Sequence, residues 1–256
     1  MVDLLNRLGE DAERIYLLGD MFDFWYEYLW HAHETLDDYA NRTGDKGFAP
    51  FLFCLRALVQ KGVKVHYLIG NHDIWTFGWL SRVTGIIVHR TPIIETLYGQ
   101  PVYLAHGDGL VPSCRTMDNA QCTMSKEDRR RLRAFIRLRA FFHNPVPQFL
   151  FRLLPPCLGD AIGYEWARRS RQKELDHPCP YKGENEEELV LFAKEYVAKT
   201  SSPPSLFVFG HRHIELDLQL TPTSRMAVLG DCFRQWTYAS LTEAGTFILC
   251  NDDVNN

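Results

Sequence analysis

Four short polar motifs stand out because each follows directly on an apolar run. They are Gly19-Asp20 after IYLL, Gly70-Asn71-His72-Asp73 after VKVHYLI, His106-Gly107-Asp108 after VYLA, and Gly210-His211-Arg212-His213 after SLFVF. Together Asp20, Asn71, His106, His211 and His213 offer a mixed oxygen and nitrogen donor set. Such a set suits Mn, Fe, Co or Zn better than Ca or a thiolate-preferring metal. Two ions about 3.5–4 Å apart need a bridging carboxylate, and Asp20 is the natural bridge. The Asn71 amide would supply an oxygen without adding negative charge where a phosphate must dock. His72 could reach the same phosphate, hydrogen-bonding the developing charge or the leaving oxygen. Alone, a Gly-Asp after a strand is usually a turn, and a lone His is usually a satisfied structural imidazole. The four motifs in series, each after an apolar run, make a metal site the stronger reading.

The elements that would position them alternate. A helix over 2–12 leads to a strand at 15–20, a helix around 49–61 and a strand at 63–70. Strand, helix and strand in this order is the pattern of parallel β units, whose ligands gather beyond the carboxyl ends of the strands. Residues 86–90 read as another strand, and 93–107 as a hairpin with Tyr98-Gly99-Gln100-Pro101 as its turn. From about 110 to 200 no strand is expected, and strands return at 205–210, 214–220, 226–230 and 236–250. The expectation is one α/β domain over 1–256 with a helical insert at approximately 110–200.

Within that insert, residues 126–139 (KEDRRRLRAFIRLR) place Arg130, Arg133 and Arg137 on one helical face, with Leu132, Phe135, Ile136 and Leu138 over much of the rest. One reading is an ordinary amphipathic lid with solvated charges. The other is an apolar cleft with a basic rim, able to rest on an anionic membrane surface without crossing it. The aromatics Phe22, Phe24, Trp25, Tyr26, Tyr28 and Trp30 either line the site near Asp20 or serve packing.

Composition excludes several classes. The net charge of -4 does not fit a globally basic nucleic-acid binder. Seven cysteines without a C-x-x-C pair argue for reduced thiols in a cytoplasmic protein rather than a disulfide framework or zinc knuckle. No apolar stretch is long enough to span a bilayer, and the start lacks a basic-then-apolar signal pattern. Neither a G-x-S-x-G nucleophile elbow nor a phosphate-binding G-x-x-x-x-G-K-[ST] loop is present.

Taken in order, G-D, G-N-H-D, a later His and G-H-x-H resemble the calcineurin-like metallophosphoesterase family. Within it, LLGDMFDFW, HGDGL and GHRHIELDLQL are similar to the UDP-2,3-diacylglucosamine pyrophosphohydrolases of lipid A synthesis. The resemblance implies a two-sheet α/β sandwich flanked by helices, with the insert as a lid. It also implies two divalent ions, Mn first, with Asp20 bridging, Asn71, His106 and His211 completing one site, and His213 in the other. Substrate contacts implied are Asn71, His72, Ser170, Arg130 and Arg133. The implied reaction hydrolyses UDP-2,3-diacylglucosamine to UMP and 2,3-diacylglucosamine 1-phosphate, by an enzyme peripheral on the inner face of the cell membrane. Two departures matter. The family's first strand with its D-x-H motif would precede Met1, so either an upstream segment or a truncated, impaired version is expected. His72 stands where the best-known lipid A enzymes have Arg and general phosphoesterases have His. Alternatives are a phosphoesterase of another nucleotide, lipid or phosphoprotein, and a non-catalytic metal- or membrane-binding scaffold.

Overall fold

The computed structural model describes residues 1–116, 126–176, 180–232 and 236–252. In chain order these form α1 (Val2–Leu8), β1 (Arg14–Leu17), α2 (Leu36–Thr43), α3 (Ala49–Gln60), β2 (Lys64–Leu68), α4 (Trp79–Thr84) and β3 (Ile87–His89). There follow β4 (Ile93–Leu97), β5 (Gln100–Ala105), α5 (Ser113–Thr116), α6 (Lys126–His143), α7 (Pro145–Arg152) and α8 (Pro156–Asp176). The last elements are α9 (Glu188–Lys199), β6 (Leu206–Phe209), β7 (Leu216–Thr221), β8 (Ser224–Val228), β9 (Thr237–Leu241) and β10 (Phe247–Asn251). The α/β class expected from the sequence is therefore observed. The first helix stops at Leu8 instead of running to residue 12. Gly9 then lies so close to Leu58 that a Cβ there would fall 2.1 Å from Leu58 Cδ2.

The chain divides into two compact units, Met1–Pro92 with Gln148–His177, and Ile93–Pro147 with Pro178–Asn256. The first is built on a parallel sheet of order β1-β2-β3. Its central strand buries Val65, His66, Tyr67 and Leu68, as a strand covered on both faces must. The helix α3 supplies Leu52, Leu55 and Leu58 to the same core, spaced at three-residue steps that keep them on one helical face. In this unit α8 carries Gly159, Gly163 and Ala167, a stripe of small residues at four-residue spacing. Cβ atoms at Gly159 and Gly163 would fall 2.3 Å from Tyr28 Oη and 2.0 Å from Phe24 Cε1. The stripe lets α8 lie directly on the aromatic loop after β1. That loop is mostly packing: Phe22, Trp25 and Tyr28 are buried, whereas Trp30 is exposed.

The second unit has a mixed sheet of order β4-β5-β6-β8-β7 and a separate β9–β10 hairpin. The β4–β5 hairpin turns at Tyr98 and Gly99 alone, since Gln100 and Pro101, expected in the turn, already pair with Leu97 and Thr96. Both turn residues are left-handed (φ 48° and 79°), as a two-residue hairpin turn of the primed type requires. Leu189, Val190 and Ala193 of α9 pack on Tyr103, Phe207, Phe209, Met226 and Val228. Strands β5, β6 and β8 run parallel side by side, so β5 and β6 end together. Among the described residues no strand lies between β5 and β6, in accord with the helical reading of that stretch.

Candidate metal and phosphoester site

In the first unit two neighbouring parallel strands end in predicted donors. Asp20 follows β1, and Gly70-Asn71-His72-Asp73 follows β2. The two loops continue side by side beyond the sheet: Trp25 N–H donates to the His72 carbonyl (3.2 Å) and Glu27 N–H to the Trp75 carbonyl (3.1 Å). Asp20 is left-handed (φ 52°), and its Oδ1 accepts the His72 N–H at 2.8 Å. Gly70 is needed for space, since a Cβ there would sit 2.1 Å from Asp20 Oδ1. His72 faces its Nδ1 to the Asp23 carbonyl at 2.7 Å. A carbonyl can only accept, so Nδ1 carries the hydrogen and Nε2 carries the lone pair. The indole of Trp166 on α8 flanks this imidazole, with ring centres 4.9 Å apart.

Asp73 closes the motif from beneath. It is fully buried and accepts hydrogen bonds from Gly70 N–H and the Tyr67 hydroxyl. Burial, reinforced by the charge of Asp73, drives the Tyr67 phenol well above its usual range, so it remains a donor. The fourth residue of Gly-Asn-His-Asp is thus a clamp on the turn.

The second unit repeats the arrangement. His106 follows β5, His211 and His213 follow β6, and Gly210 N–H donates to the His106 carbonyl at 2.9 Å. The His106 and His211 rings stand 5.0 Å apart, edge to face, with His106 buried. His211 and His213 are both left-handed (φ 67° and 50°). Arg212 between them forks onto Glu187 of the α9 N-terminus, Nε at 2.6 Å and a terminal nitrogen at 3.0 Å. Asp108 of His-Gly-Asp is gripped by Arg139 of α6 at 2.6 Å.

Among the described residues five non-glycine positions are left-handed, and three are the predicted donors Asp20, His211 and His213. Each such position costs about 1–3 kcal/mol, a strain that clusters where a side chain must be aimed. Together with the oxygen and nitrogen donor set, this fits divalent-cation binding by these residues. Arg130 and Arg133 lie exposed on α6, with Phe135, Leu138 and Phe141 of the same helix also exposed. Ser170 belongs to α8, but its side chain lies outside the described residues.

Sequence reasoning missed Asp23, Asp73, Glu27, Glu187 and Arg139, which orient or brace the motifs. Glu27 is buried, and its carboxylate accepts the N–H groups of Phe77, Trp79 and Leu80, capping α4 from a distance. Of these, Asp73 carried a signal from its place inside Gly-Asn-His-Asp, and Asp23 from its place in the LLGDMFDFW segment. Among the described residues no helix is long and apolar enough to cross a membrane.

No family model matches the chain. Individual relatives do. A protein of Porphyromonas gingivalis named UDP-2,3-diacylglucosamine hydrolase is 30% identical over 245 residues, covering 92% of this chain and 82% of the relative. Proteins of the same name from Pseudomonas fluorescens and Actinobacillus succinogenes are each 26% identical. They cover 95% and 90% of this chain and 85% and 82% of their own lengths.

Proposed function

Because this chain belongs to the UDP-2,3-diacylglucosamine hydrolases, a group of calcineurin-like phosphoesterases, we propose that it hydrolyses the phosphoanhydride of an acylated nucleotide sugar. The substrate we assign is UDP-2,3-diacylglucosamine, cleaved to UMP and 2,3-diacylglucosamine 1-phosphate. The donors we assign to two divalent ions, Mn first, are Asp20, Asn71, His106, His211 and His213. Bound there, the ions would activate a water and neutralise phosphate oxygens during in-line attack.

The chain's own residues have separable tasks. Asp20 is held in a left-handed conformation by its bond to His72 N–H, so its carboxylate is fixed before any ion arrives. Asn71 would add an uncharged oxygen to the donor set. His72, its Nδ1–H spent on the Asp23 carbonyl, offers Nε2 to the phosphate or to the leaving oxygen. Arg212, pinned to Glu187, braces the turn that separates His211 from His213. The exposed Arg130 and Arg133, beside Phe135 and Leu138 on α6, would meet diphosphate and anionic lipid headgroups, with Ser170 as a further contact. On this reading the insert is a lid over a two-sheet sandwich, and the enzyme works at the inner membrane face.

The observation that carries the reading is the repeated geometry: in each unit two adjacent parallel strands end side by side in the predicted donors. The decisive experiment is release of UMP from UDP-2,3-diacylglucosamine with added Mn²⁺, alongside a simple phosphodiester. Release that Asp20→Ala abolishes supports the whole reading. Turnover of the simple ester alone would keep the phosphoesterase and remove the lipid substrate.

A further inference from the structure

Three contacts run in series inside the first unit. The Arg171 guanidinium on α8 pairs with the Asp23 carboxylate. The carbonyl of the same Asp23 accepts the His72 Nδ1–H at 2.7 Å. Trp166, on the preceding part of α8, lies against the His72 ring with centres 4.9 Å apart. The helix is seated at two further points, where Tyr28 Oη donates to Asp160 Oδ1 at 2.7 Å and Gly163 meets Phe24.

Resting on the proposed function, we infer that Arg171 is a positioning residue for His72, acting through Asp23. A carbonyl that accepts from an imidazole fixes both its ring orientation and its tautomer. That carbonyl belongs to a residue whose side chain is tied to α8, so the helix helps to hold its peptide plane. When α8 leaves the loop, the Asp23 carboxylate loses its cation and the peptide is free to turn away from Nδ1. The Nε2 atom then has no fixed direction toward a phosphate. The imidazole therefore reports whether α8 is seated, and turnover is tied to a docked helix. The ion pair is half-exposed, a setting in which such pairs add little to stability. Its effect should accordingly appear in turnover rather than in folding.

The test uses the full chain with Mn²⁺ and bis(p-nitrophenyl) phosphate, a substrate too small to need the helix for binding. Arg171→Ala and Asp23→Asn should each lower kcat by roughly 10-fold or more with little change in KM, as loss of orientation does. Arg171→Lys should restore most of the rate. Arg168→Ala, which removes only a pairing to Glu165 on the same helix, should leave the rate alone. In a His72→Ala background, adding Arg171→Ala should cost nothing more, because the residue through which it acts is gone. An unchanged kcat in both single variants, or the same further loss in the His72→Ala background, overturns the inference while leaving the phosphoesterase intact. If the unsubstituted chain cleaves no phosphoester at all, the proposed function falls and this inference with it.

Discussion

The carboxylate of Asp20 occupies the space that a side chain at residue 70 would need, with Asp20 Oδ1 2.1 Å from the position of a Gly70 Cβ. Gly70 is not left-handed, so its demand is for room and not for backbone freedom. The nearby Asp20 backbone nitrogen, 2.7 Å from the same point, blocks escape by a simple side-chain rotation. Gly70→Ala must therefore shift the loop carrying Asp20. We expect a loss of about 1–3 kcal/mol in stability, the usual scale of overpacking. Turnover should fall by roughly 10²-fold, as displacement of a reacting group by an ångström can do. Urea unfolding and steady-state kinetics read the two effects separately, and a variant with full activity would remove Asp20 from the centre.

Glu27 offers a second, purely structural expectation. Gly78 precedes α4 and has no side chain to cap it, and the distant Glu27 carboxylate takes the donors instead, Trp79 and Leu80 N–H at 2.9 Å each. Glu27→Gln keeps the size but turns an amide NH₂ toward backbone donors. The expected cost is about 2–3 kcal/mol, the scale of charge-assisted hydrogen bonds lost in a buried place. Equilibrium unfolding checks it, and a change below about 0.5 kcal/mol would mean the loop finds other acceptors.

These two carboxylates show where the sequence is readable and where it is not. The parallel strands, the hairpin at residues 93–107 and the polar motifs were legible because their signals are local: an apolar run, then glycine or a polar donor. Asp73 could be quoted inside Gly-Asn-His-Asp, yet its role as a clamp could not, since its partners are a backbone N–H and a tyrosine on β2. Glu27 and Glu187 gave no signal because their partners lie about fifty and twenty-five residues away. The stripe Gly159, Gly163, Ala167 is visible in the sequence, but nothing there says that it meets Tyr28 and Phe24. Left-handed backbone at Asp20, His211 and His213 is likewise a property of the closed turn, which residue types alone leave open.

The Arg212–Glu187 pair separates bracing from ligation. Glu187 is 1% exposed and Arg212 is 18% exposed at the side chain, so removing the cation leaves a carboxylate buried and uncompensated. Arg212→Ala should cost about 3–5 kcal/mol, the range for breaking a buried pair from one side. The double replacement Arg212→Met with Glu187→Leu should recover most of that loss, since no unpaired charge remains. Thermal and urea unfolding of the single and double variants give the answer. A double variant as unstable as the single one would show that the fork does more than neutralise Glu187.

Metal binding can ask whether the donors of the two units serve one centre. An ion that binds only the folded chain raises stability by about 2.7 kcal/mol when present at a hundred times its dissociation constant. We therefore expect Mn²⁺ to raise the unfolding midpoint, and a chelator to reverse the rise. Asp20→Ala from the first unit and His211→Ala from the second should each abolish that Mn²⁺-dependent increment, although the two residues follow different sheets. Their sum offers the sharper comparison. If the donors share one centre, the double variant should lose no more of the increment than either single variant, because either loss already opens the ligand set. If each unit binds an ion separately, the single variants should each keep part of the increment and only the double variant should lose it all. Calorimetric titration of the same proteins with Mn²⁺ would report the matching change in the number of ions bound, and separate binding would take Asp20 out of its role as the bridge.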